Sequence, residues 1–452
     1  MTNFQERLLN AIPGGAHTYS RGFDQFPFNA PQILKSGKGA YVVDPEGREF
    51  LDYGMALRAI TLGYSDDDIN KAAFEQIANG NNLTRPSLIE LEAAEMLVDL
   101  IPSVDMVKFA KNGSNVTTAA LKLARAFTNK DYVCIPRQHP FFSFDDWFIG
   151  TTVINKGIPS EHHAKTLLFD YGDINSLEHL FSKYSGQIAA VMLEPATSDV
   201  PCPLVCDKEL SYESPCRACE NNSQNFLVRV QELCHKNDSL FILDEMITGF
   251  RWDLKGAQHY FGVAPDLSTF GKAMANGFSL SALAGRKDIM ELGSICKEGQ
   301  ERTFLLSSTH GAEMASLGAF VQVVNKYKSH DVCKHLWKYG FDFRKVIDEL
   351  IGEHGLQNHF RLLGPAISLS YTFFDVNEDP SLALKTLFQQ ELVKHNVLMP
   401  WISFSLSHGQ IELEKTYDAV NKALKVVASA IRSDISQYLE GNPIKPVFRR
   451  YN

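Results

Sequence analysis

The chain has 452 residues, of which 44% are hydrophobic and 21% are charged, and its formal net charge is -9 at pH 7. That length exceeds what one simple core accommodates and predicts two domains, and the acidic balance without a basic block argues against nucleic-acid binding. The first residues lack the apolar core of a signal peptide, and no apolar run approaches the roughly 18 residues that span a membrane, so we expect a cytoplasmic protein without membrane segments.

The predicted elements change in character along the chain. Turns with Pro and Gly and short strand-like pieces, such as Ala40–Asp44, occupy residues 1–67, and helical periodicity follows from Asp68 to Leu100. From about residue 329 the chain mixes helices with strands such as Ala366–Phe373, which predicts a smaller α+β domain over residues 329–452.

Residues 68–328 alternate between strands and helices. Such alternation predicts an α/β domain with a mostly parallel central sheet covered by helices. The predicted strands and helices include Met106–Ala110, Val116–Thr128, Ile188–Leu193, Phe226–His235, Leu240–Asp244 and a long helix over Ala312–Lys328.

Residues 240–272 predict a catalytic site. The apolar strand Leu240–Leu243 ends at Asp244, and the short segment Leu267–Phe270 runs through a glycine into Lys272. Parallel α/β sheets bind ligands beyond the carboxyl ends of their strands, so Asp244 and Lys272 are expected at the same crevice. A partly desolvated Lys can form a Schiff base with an aldehyde, and an Asp can keep a pyridinium nitrogen protonated, as pyridoxal 5'-phosphate (PLP) requires. Taken alone, the two residues also fit an alternative without catalysis, in which Asp244 lies on a solvated loop and Lys272 is an ordinary surface lysine.

A series of motifs along the chain resembles the class III (ornithine-type) PLP-dependent aminotransferases, and most of all their glutamate-1-semialdehyde aminomutase branch. The resemblance runs from about residue 7 to about residue 430, and it implies PLP fold type I with both chain ends in the small domain. The motifs, in the order of that branch, are Ile12-Pro13-Gly14-Gly15, Gly37-Lys38-Gly39-Ala40-Tyr41-Val42-Val43-Asp44, Ile101-Pro102-Ser103-Val104, Leu193-Glu194-Pro195 and Asp244-Glu245-Met246-Ile247-Thr248-Gly249-Phe250-Arg251.

The cofactor phosphate is expected at Asn112-Gly113-Ser114, between a strand and a helix. A helix N-terminus offers free N–H groups and a favourable dipole to a phosphate, although Ser114 also fits a plain N-cap. The family carries Ser-Gly-Thr there, and the Glu that usually follows is Asn115 here. The resemblance also assigns Met246 to the space behind the cofactor ring. It assigns Thr309 to the phosphate of the neighbouring subunit, which implies a homodimer with shared active sites.

The resemblance carries further assignments at positions where this chain departs from the family. Phe141 or Phe142 is expected to stack on the cofactor ring where the family usually has Tyr-His-Gly, although these residues also fit a core or a subunit interface. Arg21 matches the arginine with which the aminomutase branch holds a substrate carboxylate. Two active-site residues of that branch are replaced, its Glu by Pro400 and its Trp by Leu57, so we expect the semialdehyde not to be the substrate.

Four of the eight cysteines lie within 18 residues, in an apparent insertion at about residues 200–222. Their spacing, C-x3-C-x9-C-x2-C, predicts a structural zinc site with four thiolate ligands. Four reduced thiols in a surface loop are the alternative, and a disulfide is less expected without an export signal. The cysteines are Cys202, Cys206, Cys216 and Cys219.

Together these residues predict a PLP-dependent aminotransferase. It would take the amino group from an amino-acid donor, glutamate, and pass it to an aldehyde or ketone. The segments around Arg21 and Asp145–Gly150 resemble a subgroup associated with surface-polysaccharide and amino-sugar genes, which suggests a sugar derivative as acceptor. Two alternatives stay open, an aminomutase that moves the amino group within one molecule and a zinc-stabilised binding protein that has lost catalysis.

Overall fold

The computed structural model describes residues 3–138, 141–197, 200–201, 225–311 and 313–452. The chain divides into two compact units, Met1–Asp66 with Lys334–Asn452, and Asp67–Cys333. In the described part of the chain the helices span Phe4–Ala11, Asp67–Ala78, Leu88–Leu100, Gly113–Thr128, Asp146–Ile149, Ser160–His163, Ile174–Lys183, Phe226–Lys236, Ala257–Phe261, Lys287–Met290, Met314–His330, Val332–Glu353, Leu382–Lys394 and Gln410–Ile431. The strands are β1 (Ser36–Lys38), β2 (Tyr41–Val43), β3 (Glu49–Asp52), β4 (Met106–Ala110), β5 (Tyr132–Pro136), β6 (Thr166–Phe169), β7 (Ile188–Leu193), β8 (Leu240–Asp244), β9 (Leu267–Phe270), β10 (Ser281–Gly285), β11 (Phe360–Leu363), β12 (Ser370–Phe373) and β13 (Val397–Leu398).

The larger unit, Asp67–Cys333, is built on a seven-stranded sheet in the order β4-β10-β9-β8-β7-β5-β6. The strands from β9 to β6 in this order pair in parallel, whereas β10 is antiparallel to both β4 and β9. Strands β7 and β8 are buried along their whole length and are apolar except for Asp244 at the end of β8, as expected of parallel strands that are covered on both faces. The predicted α/β fold with a mostly parallel central sheet is therefore confirmed.

The helix Gly113–Thr128 shows how the sequence positions the site. Its apolar stripe is buried in the core of the larger unit. The side chain of Asn112 accepts a hydrogen bond from the Asn115 amide at 3.2 Å, so the helix begins earlier than the predicted Val116. Asn112 is the N-cap residue, and the alternative interpretation of Ser114 as the N-cap is wrong, because Ser114 lies inside the first turn.

The smaller unit combines the N-terminal and C-terminal segments of the chain. Its four-stranded sheet has the order β1-β2-β3-β13, and β13 pairs in parallel with β3. Strands β11 and β12 form a separate antiparallel pair, and the helices Leu382–Lys394 and Gln410–Ile431 pack against each other. The unit is therefore of the α+β type.

Some predicted boundaries differ from the structure. The continuous helical pattern from Asp68 to Leu100 is two helices, because Ser87 forms a capping box with Glu90 and starts a second helix. Of the predicted strand Ala366–Phe373, only Ser370–Phe373 forms a strand, since Ala366–Ser368 form a short 3₁₀ turn after Pro365. Among the described residues no helix combines the length and the apolar composition that crossing a membrane requires.

Candidate active site

Asp244 is the last residue of β8, and only 2% of its surface is exposed. Its Oδ1 accepts hydrogen bonds from the Thr269 hydroxyl at 2.9 Å and from the Met246 amide at 3.0 Å. Burial, and next the charge of Glu194, raises the pKa of Asp244 to about 6, while the Lys272 ammonium opposes that shift. A raised pKa shows that the protein compensates this charge incompletely, so a cationic ligand group beside the carboxylate would be stabilised.

The neighbouring acid, Glu245, has a structural role. It is fully buried, and its carboxylate accepts hydrogen bonds from the Thr248 hydroxyl at 2.7 Å and from the amides of Ala257 and Gln258 at 2.9 and 2.8 Å. These bonds satisfy free N–H groups at the start of the helix Ala257–Phe261. Of the two acids that end the predicted strand, only Asp244 is therefore positioned to meet a ligand.

Lys272 follows β9, the strand that pairs in parallel with β8 and sets Thr269 opposite Asp244. Asp244 and Lys272 thus lie at the ends of adjacent strands, as the sequence predicted, and they interact electrostatically. The backbone of Lys272 is in the left-handed region at a φ of 43°. This conformation costs a residue with a side chain about 1–2 kcal/mol, and such strain concentrates at functional sites.

The proposed phosphate loop, which we define as Asn112-Gly113-Ser114, lies at the start of the helix Gly113–Thr128. No acidic residue stands in the first turn of this helix, so its positive N-terminal end is not neutralised. Ser114 is buried, and its hydroxyl oxygen accepts a hydrogen bond from the Phe144 amide at 3.0 Å, which leaves the hydroxyl hydrogen able to donate. The Asn112 carbonyl accepts from the Ser281 hydroxyl at 2.8 Å, and this bond fixes the loop to β10.

Met246 packs against the two glycines of the site. A Cβ on Gly113 would lie 3.1 Å from Met246 Cε, and a Cβ on Gly271 would lie 2.3 Å from Met246 Sδ. The thioether therefore contacts both the phosphate loop and the residue before Lys272. Its assignment to the space behind the cofactor ring stays a prediction.

The structure separates the two candidates for the stacking ring. Phe142 is 2% exposed and packs edge-to-face against Phe148 at a centroid distance of 5.6 Å, within the core cluster. Phe141 is 46% exposed and also contacts the edge of Phe148. Because the Phe142 ring is buried in the core, Phe141 is the better candidate for the ring that stacks on the cofactor.

Thr309 lies on an exposed loop before the helix Met314–His330. Its carbonyl accepts a hydrogen bond from Asn82 Nδ2 at 2.9 Å, and its hydroxyl makes no hydrogen bond to any residue that the structure describes. Its assignment to the phosphate of a neighbouring subunit stays a prediction.

The three positions that the sequence linked to the substrate meet in the smaller unit. Arg21, Leu57 and Pro400 line one cavity of about 670 Å³, together with Tyr64 and Trp401. We call this space the Arg21 cavity. Among the described residues, the Arg21 side chain has no hydrogen-bond or ion-pair partner, so its guanidinium is available to a ligand.

One wall of the Arg21 cavity is a left-handed turn. Four consecutive residues without a glycine, Met55–Arg58, have φ values between 40° and 68°. Each such residue costs about 1–2 kcal/mol relative to a right-handed conformation. Ala56 and Leu57 of this turn line the cavity. Backbone strain on this scale persists only where the surrounding structure enforces it.

Asp52 and Tyr64 hold the left-handed turn in place. The Asp52 carboxylate accepts from the amides of Gly54 at 2.7 Å and Met55 at 3.1 Å, and from the Tyr64 hydroxyl at 2.6 Å. The Tyr64 oxygen in turn accepts from the Ala56 amide at 2.9 Å. Burial raises the pKa of Asp52 despite these hydrogen bonds. Sequence reasoning missed the turn and both residues, since nothing in Met-Ala-Leu-Arg signals a left-handed backbone.

The predicted zinc ligands lie outside the described residues. Cys202, Cys206, Cys216 and Cys219 all fall in 202–224, so the metal assignment stays a prediction. Among the described residues, no group of three or more His, Cys, Asp or Glu side chains could hold a metal ion.

Relatives named glutamate-1-semialdehyde 2,1-aminomutase match most of the chain. The relative from Francisella philomiragia subsp. philomiragia is 33% identical over 438 residues, which cover 91% of this chain and 95% of that protein. The relative from Clostridium perfringens (strain 13 / Type A) is 31% identical over 383 residues, which cover 81% and 83%.

Solved structures share the fold at lower identity. The FumI protein of Sphingopyxis sp. MTA144, whose structure contains PLP, matches with a TM-score of 0.81 at 24% identity over 95% of this chain and 97% of that chain. A glutamate-1-semialdehyde-aminomutase from Pseudomonas aeruginosa PAO1, in complex with PMP, matches with a TM-score of 0.77 at 17% identity over 93% of each chain.

The fold, with an acid and a lysine at adjacent strand ends, is that of a PLP-dependent enzyme of fold type I. The family model for class III aminotransferases matches residues 26–201 and 219–372, and the chain belongs to that family. The match is interrupted over residues 202–218, within the cysteine-rich insertion.

The residues present fit PLP. Asp244 is a buried carboxylate whose raised pKa favours a cationic partner, as a protonated ring nitrogen would be. The phosphate loop offers an acid-free helix N-terminus, and the close packing of Met246 against Gly113 and Gly271 leaves no room there for a larger residue.

Proposed function

We propose that this protein moves an amino group to or from the carbonyl carbon of a carboxylate-bearing substrate, with PLP held between Asp244 and Lys272. The observation that carries the proposal is the pairing of a buried acid and a strained lysine at the ends of adjacent parallel strands. The relatives compared above are named aminomutases. They favour a rearrangement of the glutamate-1-semialdehyde type over the transfer to a sugar acceptor that the sequence suggested.

The larger unit would supply the acid–base chemistry. When bound, PLP supplies an electron sink that stabilises negative charge on the carbon next to the transferred nitrogen. Asp244 would accept a hydrogen bond from the ring nitrogen and keep it protonated. Lys272 would hold the cofactor through Nζ, and its freed amine would then carry the proton to and from the reacting carbon of the substrate.

Other residues would bind rather than react. The N–H groups at Gly113 and Ser114 would hold the phosphate, and the exposed Phe141 ring would lie against a face of the cofactor. Arg21 would bind the substrate carboxylate, since a guanidinium can donate to both of its oxygens. Thr309 would reach the phosphate of a second subunit.

Transfer to a separate acceptor is the second candidate. Pro400 and Leu57 line the Arg21 cavity, where the aminomutase branch has a Glu and a Trp. Neither replacement supplies a carboxylate at these two positions. This observation favours an aminotransferase that takes nitrogen from glutamate and passes it to an external aldehyde or ketone, such as a sugar derivative.

The attachment of PLP to Lys272 is tested directly. The purified protein should absorb visible light, and borohydride reduction followed by peptide mapping should locate the cofactor on Lys272. Lys272→Ala should lose the covalent link, whereas Lys287→Ala, which changes an exposed lysine on a short helix after β10, should keep it. Cofactor fixed on another lysine would refute the assignment.

A second experiment separates the two candidates. An aminomutase should convert glutamate 1-semialdehyde alone into the isomer whose amino group has moved from carbon 2 to carbon 1. An aminotransferase should require glutamate together with a separate aldehyde or ketone. If the replaced residues set this choice, the double variant Pro400→Glu, Leu57→Trp should gain activity on the semialdehyde. Full semialdehyde activity in the unmodified protein would instead rule out the second candidate.

A further inference from the structure

We propose that Lys445, on the C-terminal tail, is a second cation of the Arg21 cavity and selects an anionic substrate. We define the C-terminal tail as residues 432–452, which follow the helix Gln410–Ile431. Its residues Asn442–Lys445 line the cavity. The family match ends at residue 372, so the tail lies outside it. The inference rests on the proposed function, because it names the substrate class of the same enzyme.

Hydrogen bonds fix the tail on both sides of Lys445. The Lys445 amide donates to the Asp24 carbonyl at 2.9 Å, and the Lys445 carbonyl accepts from Gln25 Nε2 at 3.0 Å. The preceding amide, of Ile444, donates to the Thr386 hydroxyl at 2.9 Å. The backbone at Lys445 is therefore part of the fold, and its side chain starts from a defined place on the cavity wall.

Two further contacts hold the tail against the N-terminal segment. Arg449 Nη2 forms an ion pair of 2.5 Å with Asp24 Oδ2, and both side chains are at least two-thirds buried. Gly441 passes so close to Phe28 that a Cβ on the glycine would lie 2.7 Å from Phe28 Cβ. These contacts join positions more than 400 residues apart in the chain, as the separation of 425 between Asp24 and Arg449 shows.

The charges that line the cavity leave a net positive site. Its two acids are already satisfied, Asp24 by the ion pair with Arg449 and Asp52 by three hydrogen bonds. Its two cations are Arg21 and Lys445, and neither side chain has a hydrogen-bond or ion-pair partner in the part of the chain that the structure describes. With Arg449 counted beside Asp24, three cations face two carboxylates, and an anion would meet two cations that have no ion-pair partner among the described residues.

Much of the remaining cavity lining is apolar, and aromatic rings form part of it. It includes the aromatic side chains of Phe23, Phe26, Phe28, Tyr64 and Trp401. Aromatic faces pack well against rings and hydrocarbon, and a volume of about 670 Å³ lies within the range of small-molecule sites. The cavity thus fits an organic anion with a ring or an apolar portion.

Three neutralising variants of the tail provide the test. Lys445→Met, Arg449→Met and Arg450→Met each remove one positive charge, but only Lys445 lines the cavity and only Arg449 holds Asp24. Arg450 is exposed and lies over the Tyr451 ring, so Arg450→Met is the control. The probes are benzoate and its neutral analogue benzamide. Their dissociation constants are measured by calorimetry on the PLP-loaded protein.

We expect the unmodified protein to bind benzoate more tightly than benzamide. Lys445→Met should weaken benzoate by roughly three- to tenfold, as for one partly exposed ion pair, and leave benzamide unchanged. Arg450→Met should change neither probe by more than about twofold, because Arg450 is exposed to screening by solvent and does not line the cavity. Arg449→Met should weaken both probes, since the wall itself is loosened.

Equal binding of the two probes, or an equal loss of benzoate in Lys445→Met and Arg450→Met, would overturn the proposal. Lys445→Gln provides a second neutral variant, and thermal unfolding shows whether the variants stay folded. Failure of the proposed function is a different result. In that case the protein would lack visible absorbance, or it would act neither on glutamate 1-semialdehyde nor on glutamate with a carbonyl acceptor, whatever the probes show.

Discussion

Adjacent acidic residues perform different tasks at the end of β8. Asp244 makes two hydrogen bonds through one oxygen, whereas Glu245 is saturated by the start of the helix Ala257–Phe261. Loss of the Asp244 charge should therefore impair the work of the cofactor without lowering stability. Loss of the Glu245 charge should lower stability and leave the cofactor in place.

The pKa of Asp244 predicts how the cofactor-free protein responds to pH. Because the folded pKa of about 6 exceeds the ordinary value of 3.8, the folded state binds the proton more tightly, and stability falls as pH rises through that window. Asp244→Asn should flatten this dependence and raise the unfolding free energy at pH 7–8 by at most roughly 3 kcal/mol. Denaturant unfolding of the cofactor-free variant and the unmodified protein between pH 4 and 8 measures how the unfolding free energy depends on pH.

Glu245→Gln is the matched comparison. It should lower stability, because the helix start loses a charged acceptor, but it should keep the visible absorbance and the amino-group transfer activity. Asp244→Asn should raise the stability at pH 7–8 and should lose the amino-group transfer activity. If both variants behave alike, the division of tasks is wrong.

The sequence was sufficient for residues whose chemistry follows from their position on a strand. Asp244 and Lys272 were predicted because the ends of parallel strands meet at one edge of a sheet. Which phenylalanine faces a ligand was not predictable, since Phe141 and Phe142 are adjacent and only packing against Phe148 distinguishes them. Glu194 was known only as part of a motif, and its effect on Asp244 required the pairing of β7 with β8.

At the scale of elements, the left-handed turn Met55–Arg58 is the largest departure from what sequence rules predict. Local propensity favours a right-handed helix for Met, Ala, Leu and Arg. The structure overrides this preference with bonds from Asp52 and Tyr64, which come from a strand end and a later loop. The turn could not be read from the four residues themselves, because its cause lies outside them.

Leu57 provides a test of this strain. Leu57→Ala and Leu57→Gly remove nearly the same side chain, but only glycine adopts a φ of 62° without penalty. We expect the Gly variant to be more stable than the Ala variant by about 1 kcal/mol. In the right-handed helix Gln410–Ile431, the pair Lys422→Ala and Lys422→Gly should show the opposite order, with Ala more stable by about 1 kcal/mol. Chemical denaturation measures the unfolding free energies of the four variants. If the Ala variant is the more stable at both positions, the turn is not strained.

The cysteine-rich insertion predicts an element that metal binding orders. Four thiolates close the tetrahedral shell of zinc and leave no position for a catalytic water. Elemental analysis should find about one zinc per chain, and the pair Cys216→Ser, Cys219→Ser should lose it while the PLP absorbance remains. Cys296→Ser, which changes an exposed free cysteine elsewhere, should keep the zinc. A metal-free protein whose insertion resists protease equally well would contradict the prediction.

At the scale of the whole molecule, composition and the alternation of strands and helices predicted the α/β fold. Composition and periodicity carry no information on contacts between distant segments. The C-terminal tail meets the N-terminal segment through Asp24 and Arg449, and β13 joins β3. Such pairings form only in the folded chain. The motifs around Arg21 therefore could not predict that distant segments form one cavity with it.

The larger unit exposes a group of large apolar side chains, and we predict that this surface contacts a second copy of the chain. Large apolar side chains are exposed within one stretch of the chain that covers two helices and the loop between them, and exposure of this kind often marks an interface. They are Phe74, Ile77, Leu83, Leu88 and Leu91. The exposed loop that carries Thr309 is attached to the same region, because Asn82 donates to the Thr309 carbonyl.

If Thr309 binds the phosphate of the neighbouring subunit, PLP affinity should depend on assembly. Thr309→Ala should weaken PLP roughly ten- to a hundredfold, the effect of one hydrogen bond to a charged group, while the dimer persists. Thr303→Ala, which changes a half-buried threonine six residues before Thr309, should leave PLP binding unchanged. Dilution should release PLP from the unmodified protein as the dimer dissociates. Sedimentation and absorbance on the same samples measure both quantities, and a fully active, PLP-loaded monomer would show that each active site is complete within one chain.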